Sequence, residues 1–185
     1  MHRFLVLCLA VVSGALLAPR AVAQEHFPVS TEASFGPTMT HGGMYSTGPG
    51  AAVDVVLGYR LRDTSVGTLI GALNAGVQFP VSPSGCPLDP GGDCSPEFPA
   101  VISGGPLLGI QRGSARTASA RILAGPTYYH ALEEGRALGL QGRVDVSTPP
   151  VLHTAVVASL RHSVLPSFQG EALGITSFGL GLRIQ

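Results

Sequence analysis

The stretch AAVDVVLGYRLR, residues 51–62, alternates with period two: Val53, Val55, Leu57, Tyr59 and Leu61 fall on one face, Asp54, Val56, Gly58, Arg60 and Arg62 on the other. Successive side chains of a strand point to opposite faces, so this reads as a β-strand with one apolar side. The pattern recurs along the chain. In GLQGRVDVS (139–147), Leu140, Val144 and Val146 oppose Gln141, Arg143, Asp145 and Ser147. In TASARILAGPTYY (117–129), Ala118, Ala120, Ile122, Ala124 and Tyr128 oppose Ser119, Arg121, Gly125 and Thr127. VLHTAVVASLRHS (151–163) sets Leu152, Val156, Ala158 and Leu160 against His153, Ser159, Arg161 and Ser163. VGTLIGALNAGVQF (66–79) sets Leu69, Leu73, Val77 and Phe79 against Thr68, Asn74, Gly76 and Gln78.

Weaker strands are expected over 32–40 and 100–112, and a last one over 173–185. Its final segment, SFGLGLRIQ, runs from Ser177 to the end with Phe178, Leu180, Leu182 and Ile184 on one face and Gly179, Gly181, Arg183 and Gln185 on the other. That makes about eight strands of roughly 9 to 14 residues, long for a globular sheet and suited to a tilted membrane-crossing strand. The connections are expected to alternate: long (41–49), short (DTS), long (81–98), short (GSA), long (130–138), short (TPP), long (164–172). An up-and-down antiparallel barrel with its long loops at one end produces that order; a Greek-key sandwich does not.

Composition narrows the surroundings. The chain is 45% hydrophobic and 12% charged, with 25 Gly, 15 Pro and no Trp; an ordinary soluble domain carries about 25% charged residues. It has too few charges for a full water-facing coat, and its formal net charge of +0 gives no nucleic-acid footprint. The polar strand faces are rich in Gly, Ala, Ser, Thr and Asn, small residues that fit inside a narrow barrel and would coat a soluble one poorly. The apolar face is therefore expected to meet lipid and the small, polar face to line the lumen. A closed barrel also satisfies every backbone group without an edge, which hydrocarbon demands.

The first residues read as a targeting segment. Met1-His2-Arg3 precedes the apolar run FLVLCLAVVSGALLA, and Ala21-Val22-Ala23 has the small-x-small form of a signal-peptidase site. Residues 1–23 are expected to be a secretory signal, leaving 24–185 as one barrel domain. Export then leaves Cys86 and Cys94 in GCPLDPGGDC, an even pair bracketing a Pro-Gly turn and expected to form a disulfide.

With its signal segment, alternating strands, GYRL ending, LNAGVQFP before the longest loop and terminal ITSFGLGLRIQ, the chain resembles the small outer-membrane β-barrel proteins of diderm bacteria. The resemblance covers most of the exported part and is one of pattern. It implies an all-β transmembrane barrel in the outer membrane, contact with outer-membrane lipid, and recognition of the last strand, from Ser177 to Gln185, by the barrel-assembly machinery. That signal usually ends in an aromatic residue, where this chain has Gln185.

The chemistry-bearing residues are few. Asp54, Arg60, Arg121, Arg143, Asp145, Arg161 and Arg183 are expected to form a charge network inside the lumen, because unpaired charges there are costly. RHS (161–163), followed by Glu171, invites comparison with barrel enzymes that deacylate lipid A, but His162 and Ser163 are adjacent and so point to opposite faces of a strand. The six His residues show no metal spacing, DPGGD (89–93) has too few acids for calcium, and no Gly-rich phosphate loop is present, so no cofactor is expected. The expected role is structural, surface-interacting through the loops, or narrow solute passage. The rivals are a lipid A-modifying enzyme, which needs His and Ser on one face, and a secreted lipocalin-like binder, which needs its apolar face inside.

Overall fold

A computed structural model describes residues 29–42, 49–80, 100–113, 117–131, 135–168 and 170–184. Residues 1–23, expected to be a signal segment, and Cys86, Cys94 and Gln185 lie outside these. Eight strands follow one another: β1 Val29–His41, β2 Pro49–Thr64, β3 Gly67–Pro80, β4 Val101–Arg112, β5 Ser119–Ala131, β6 Gly135–Ser147, β7 Thr154–Phe168 and β8 Glu171–Ile184. Each pairs antiparallel with its neighbours in chain order, and β1 pairs with β8, closing the barrel. This is the up-and-down antiparallel barrel that period-two alternation predicts.

The strands run longer than the sequence pattern suggests. β5 reaches Ala131 and β6 starts at Gly135, while β7 reaches Phe168 and β8 starts at Glu171. The long loops expected over 130–138 and 164–172 are therefore mostly strand, and the strict long-short alternation fails at these two hairpins. In the second case the cause is a bulge. The β7–β8 register shifts between Leu165 and Phe168, which lets β7 pass the exposed Pro166 without a ladder bond from its missing N–H.

The β6–β7 connection also differs. Leu152 and His153, expected on strand faces, are the two central residues of a tight turn with φ of 50° and 69°. Val151 and Thr154 exchange backbone bonds of 2.8 and 3.0 Å around them. Prolines inside other strands are accommodated by glycine. Gly105-Pro106 of β4 faces Gly125-Pro126 of β5, where ladder pairing is interrupted between Gly104↔Tyr128 and Leu108↔Ala124 and resumes in the same register.

Burial is inverted relative to a soluble protein. Ile122 is 64% exposed and its neighbour Leu123 is 0%; Leu138, Leu140 and Leu180 are each above 60% exposed. The largest fully buried side chains are instead Arg121, Arg143, Arg161 and Arg183. Leaving a large apolar side chain in water forgoes about 1.5–3 kcal/mol. Among the described residues 26 large apolar side chains are exposed in this way.

Candidate functional site: the charged lumen

Inward positions on each strand recur every second residue, and closure aims them at a common axis. Glu32 and Ser34 come from β1, Asp54 from β2, Arg121 from β5, Arg143 and Asp145 from β6, Arg161 from β7 and Arg183 from β8, all buried. In register, Arg121 lies directly opposite Asp145, an attractive pair, but Arg143 lies directly opposite Arg161. Like charges facing each other across a ladder repel. The lumen resolves this by sending the two guanidiniums to different carboxylates.

Arg121 and Arg143 act as a matched clamp. The Nε of each donates to one oxygen of Asp145 at 2.6 Å, and the Nη2 of each donates to one oxygen of Glu32, that of Arg121 at 2.5 Å. Arg183 donates to Glu32 Oε2 from Nε at 3.1 Å and Nη2 at 3.0 Å, and its Nη1 reaches Ser119 Oγ at 3.2 Å and Ser147 Oγ at 3.3 Å. Glu32 thus accepts from three guanidiniums. Arg161 pairs separately with Asp54 of β2 and donates to Ser177 Oγ at 3.2 Å. Ser177 in turn lies 2.9 Å from Thr38 Oγ1. Charged hydrogen bonds of this kind are the strong ones, and here they span the barrel rather than linking adjacent strands alone.

Six of the seven residues expected in the network lie in it; Arg60 does not. The β2–β3 register shifts between Arg60 and Arg62, at the short-turn end of the barrel. The Arg60 side chain is half-exposed there and pairs with Asp63, which also accepts from Thr68 Oγ1 at 2.7 Å. Conversely, the hub Glu32 is not among the expected residues. Two signals would have found it. It lies in phase with Ser34, Thr38 and Thr40, and four buried arginines against Asp54 and Asp145 alone leave too much positive charge.

The rest of the lumen is packed with side chains. Asn74, Gln78, Ser103, Thr127, Gln141 and Ser163 are buried polar residues beside the network. Val56, Ile70, Ala72, Leu107 and Leu123 form an apolar wall on β2 to β5. Toward the end of the longer connections, Val101, Tyr129, Ala131, Ala137, Leu165, Phe168, Leu173 and Ile175 form a second apolar cluster. His162 is exposed on the outer wall while Ser163 is fully buried inside, so the His and Ser of RHS sit on opposite faces. Among the described residues no group of three or more His, Cys, Asp or Glu is arranged to hold a metal ion.

No protein-family model matches this chain, and no curated protein matches it. Among solved structures it is similar to Neisserial surface protein A (NspA), at 14% identity over 84% of this chain and 96% of that one, with a TM-score of 0.66. It is also aligned with Ail, the attachment invasion locus protein of Yersinia pestis, at 13% identity over 84% and 97% of the two chains, with a TM-score of 0.37. The likeness to NspA is one of fold, and it extends over nearly the whole of that protein.

Proposed function

We propose that this chain is an outer-membrane barrel of a diderm bacterium with a non-enzymatic role: a lipid-embedded scaffold that presents its β1–β2 and β3–β4 connections to a partner outside the cell. The observation that carries the reading is the inverted burial, with exposed Ile122, Leu138, Leu140 and Leu180 around buried Arg121, Arg143, Arg161 and Arg183. Lipid is the medium in which that distribution is favourable. The fold shared with a protein named as a surface protein supports the same reading. Export through residues 1–23, a Cys86–Cys94 disulfide and reading of the last strand, up to Gln185, by the assembly machinery belong to this proposal.

The rivals fare worse on geometry. A lipocalin-like binder needs an apolar interior, and this interior carries seven buried charged groups, Glu32, Asp54, Arg121, Arg143, Asp145, Arg161 and Arg183. A deacylase built on RHS needs His162 within hydrogen-bond reach of Ser163, and the two lie on opposite sides of the wall. Solute passage meets a lumen crossed by ion pairs, in a barrel size that side chains fill.

The test is membrane fractionation combined with gel mobility before and after boiling. The expected result is a protein in the outer-membrane fraction whose folded form migrates differently from its boiled form. A soluble periplasmic protein without a heat-dependent shift would sink the reading. Alkylation mass shifts at Cys86 and Cys94 that appear only after reduction are expected in the same preparation; labelling of both thiols without reductant would remove the disulfide from the proposal.

A further inference from the structure

A polar recess interrupts the apolar outer wall. The ring of His41, the last residue of β1, stacks on that of His162 in β7, with centroids 5.5 Å apart and planes 18° from parallel. His162 Nδ1 lies 3.0 Å from Thr176 Oγ1 of β8. Since β8 runs between β1 and β7, the rings meet only because Gly174 has no side chain; a Cβ there would run into the His41 imidazole. On the other side, Gly142 of β6 is paired with His162, and nothing lies within 4 Å of where its Cβ would stand. Leu140 and Val164 flank the recess toward the long-connection rim, and Val144, Leu160 and Phe178 flank it below, all exposed.

In a surface that faces hydrocarbon, ionisable side chains need a polar partner. The charged groups at this end of the surrounding strands are Arg136 on β6 and Glu171 on β8, and neither bonds either imidazole; on β1 and β7 the outward neighbours Met39 and Val164 are uncharged. We infer that the recess seats the phosphate of an anionic lipid headgroup from the leaflet at the long-connection end. His41 stands at the rim where headgroups lie, the imidazole N–H groups donate to phosphate oxygens, the gap over Gly142 gives the headgroup room, and the apolar flanks take its chains. The inference rests on the membrane reading above.

The test uses the refolded full-length barrel in detergent-lipid micelles and counts retained lipid by native mass spectrometry, with dioleoyl phosphatidic acid as probe and dioleoylglycerol, its phosphate-free counterpart, as control. One phosphatidic acid per barrel is expected. The double variant His41→Phe/His162→Leu is expected to lower retention at least about tenfold, or about 1.4 kcal/mol, with heat-modifiable mobility unchanged. Gly142→Leu, which fills the gap and leaves both rings, is expected to do the same. Equal retention by the variants, or equal retention of dioleoylglycerol, overturns the assignment. So does a dimer peak that the double variant loses, which would give the recess to a second copy of the chain. A wild-type protein that never becomes heat-modifiable sinks the membrane reading itself, whereas one that inserts and holds no phosphatidic acid sinks only this inference.

Discussion

Glu32 accepts hydrogen bonds from Arg121, Arg143 and Arg183, so neutralising it leaves three buried guanidiniums facing Asp145. Removing one partner of a buried ion pair typically costs about 3–5 kcal/mol, because the remaining charge stays desolvated. Glu32→Gln keeps the size of the side chain and is expected to lower unfolding stability by that order, read from urea titration of the refolded barrel. Arg60→Ala, at a half-exposed pair at the rim, is expected to leave the midpoint unchanged, because solvent and salt screen such pairs. If Glu32→Gln behaves like Arg60→Ala, the network is not what stabilises the lumen. The Arg161–Asp54 pair allows a cleaner test. In a double-mutant cycle of Arg161→Met and Asp54→Asn, the double variant should lose clearly less stability than the sum of the singles; simple additivity would deny the pairing.

At the scale of single elements, two sites depart from ideal strand and turn chemistry. Leu152 and His153 hold positive φ in a two-residue hairpin, a conformation that Asn and Gly adopt with little strain. Leu152→Asn combined with His153→Gly is expected to stabilise the barrel by about 1–2 kcal/mol through relief of that strain. An unchanged or lower urea midpoint would show that the turn is not strained. The other site is the seam between β1 and β8. A Cβ at Gly36 would collide with the backbone carbonyl of Phe178, in a stretch where ladder pairing is interrupted between Phe35↔Leu180 and Thr38↔Ser177 without a change of register. Gly36→Val is expected to cost at least about 1–3 kcal/mol, the range for overpacking, and to lower the temperature at which the folded gel band is lost. Gly142→Ala, with open space around it, should leave that temperature unchanged.

For the whole molecule, the packed lumen has a functional consequence. Ion pairs join β1 to β5, β6 and β8, and β2 to β7, and an apolar cluster lies toward the end of the longer connections. The purified barrel in a planar bilayer is therefore expected to give no discrete conductance steps, and steady openings in the wild type would make the lumen a passage. Much of this architecture was legible from alternation alone. Residues 51–62, 117–129 and 139–147 declare strands with one apolar and one polar face, and they place Asp54, Arg121, Arg143 and Asp145 inward. Period two is a local property of the chain, so local sequence carries it. The hairpins around Ala131 and Phe168 were less legible, because Glu133, Glu134 and Pro166 look like loop residues whether or not pairing continues past them. Partner choice was not legible. Glu32 and Arg183 are 151 residues apart in sequence, and they meet because β8 closes onto β1 in one register. The pairing of Arg60 with Asp63 at the rim, and the crossing of His41 and His162 over Gly174, likewise exist only once neighbouring strands are aligned. Alternation along the chain sets the strands, their faces and the inversion of polarity. Which charges pair and which outer side chains meet follows only from the closed barrel, because register and closure are set by the sum of long-range contacts around the ring, not by any one strand.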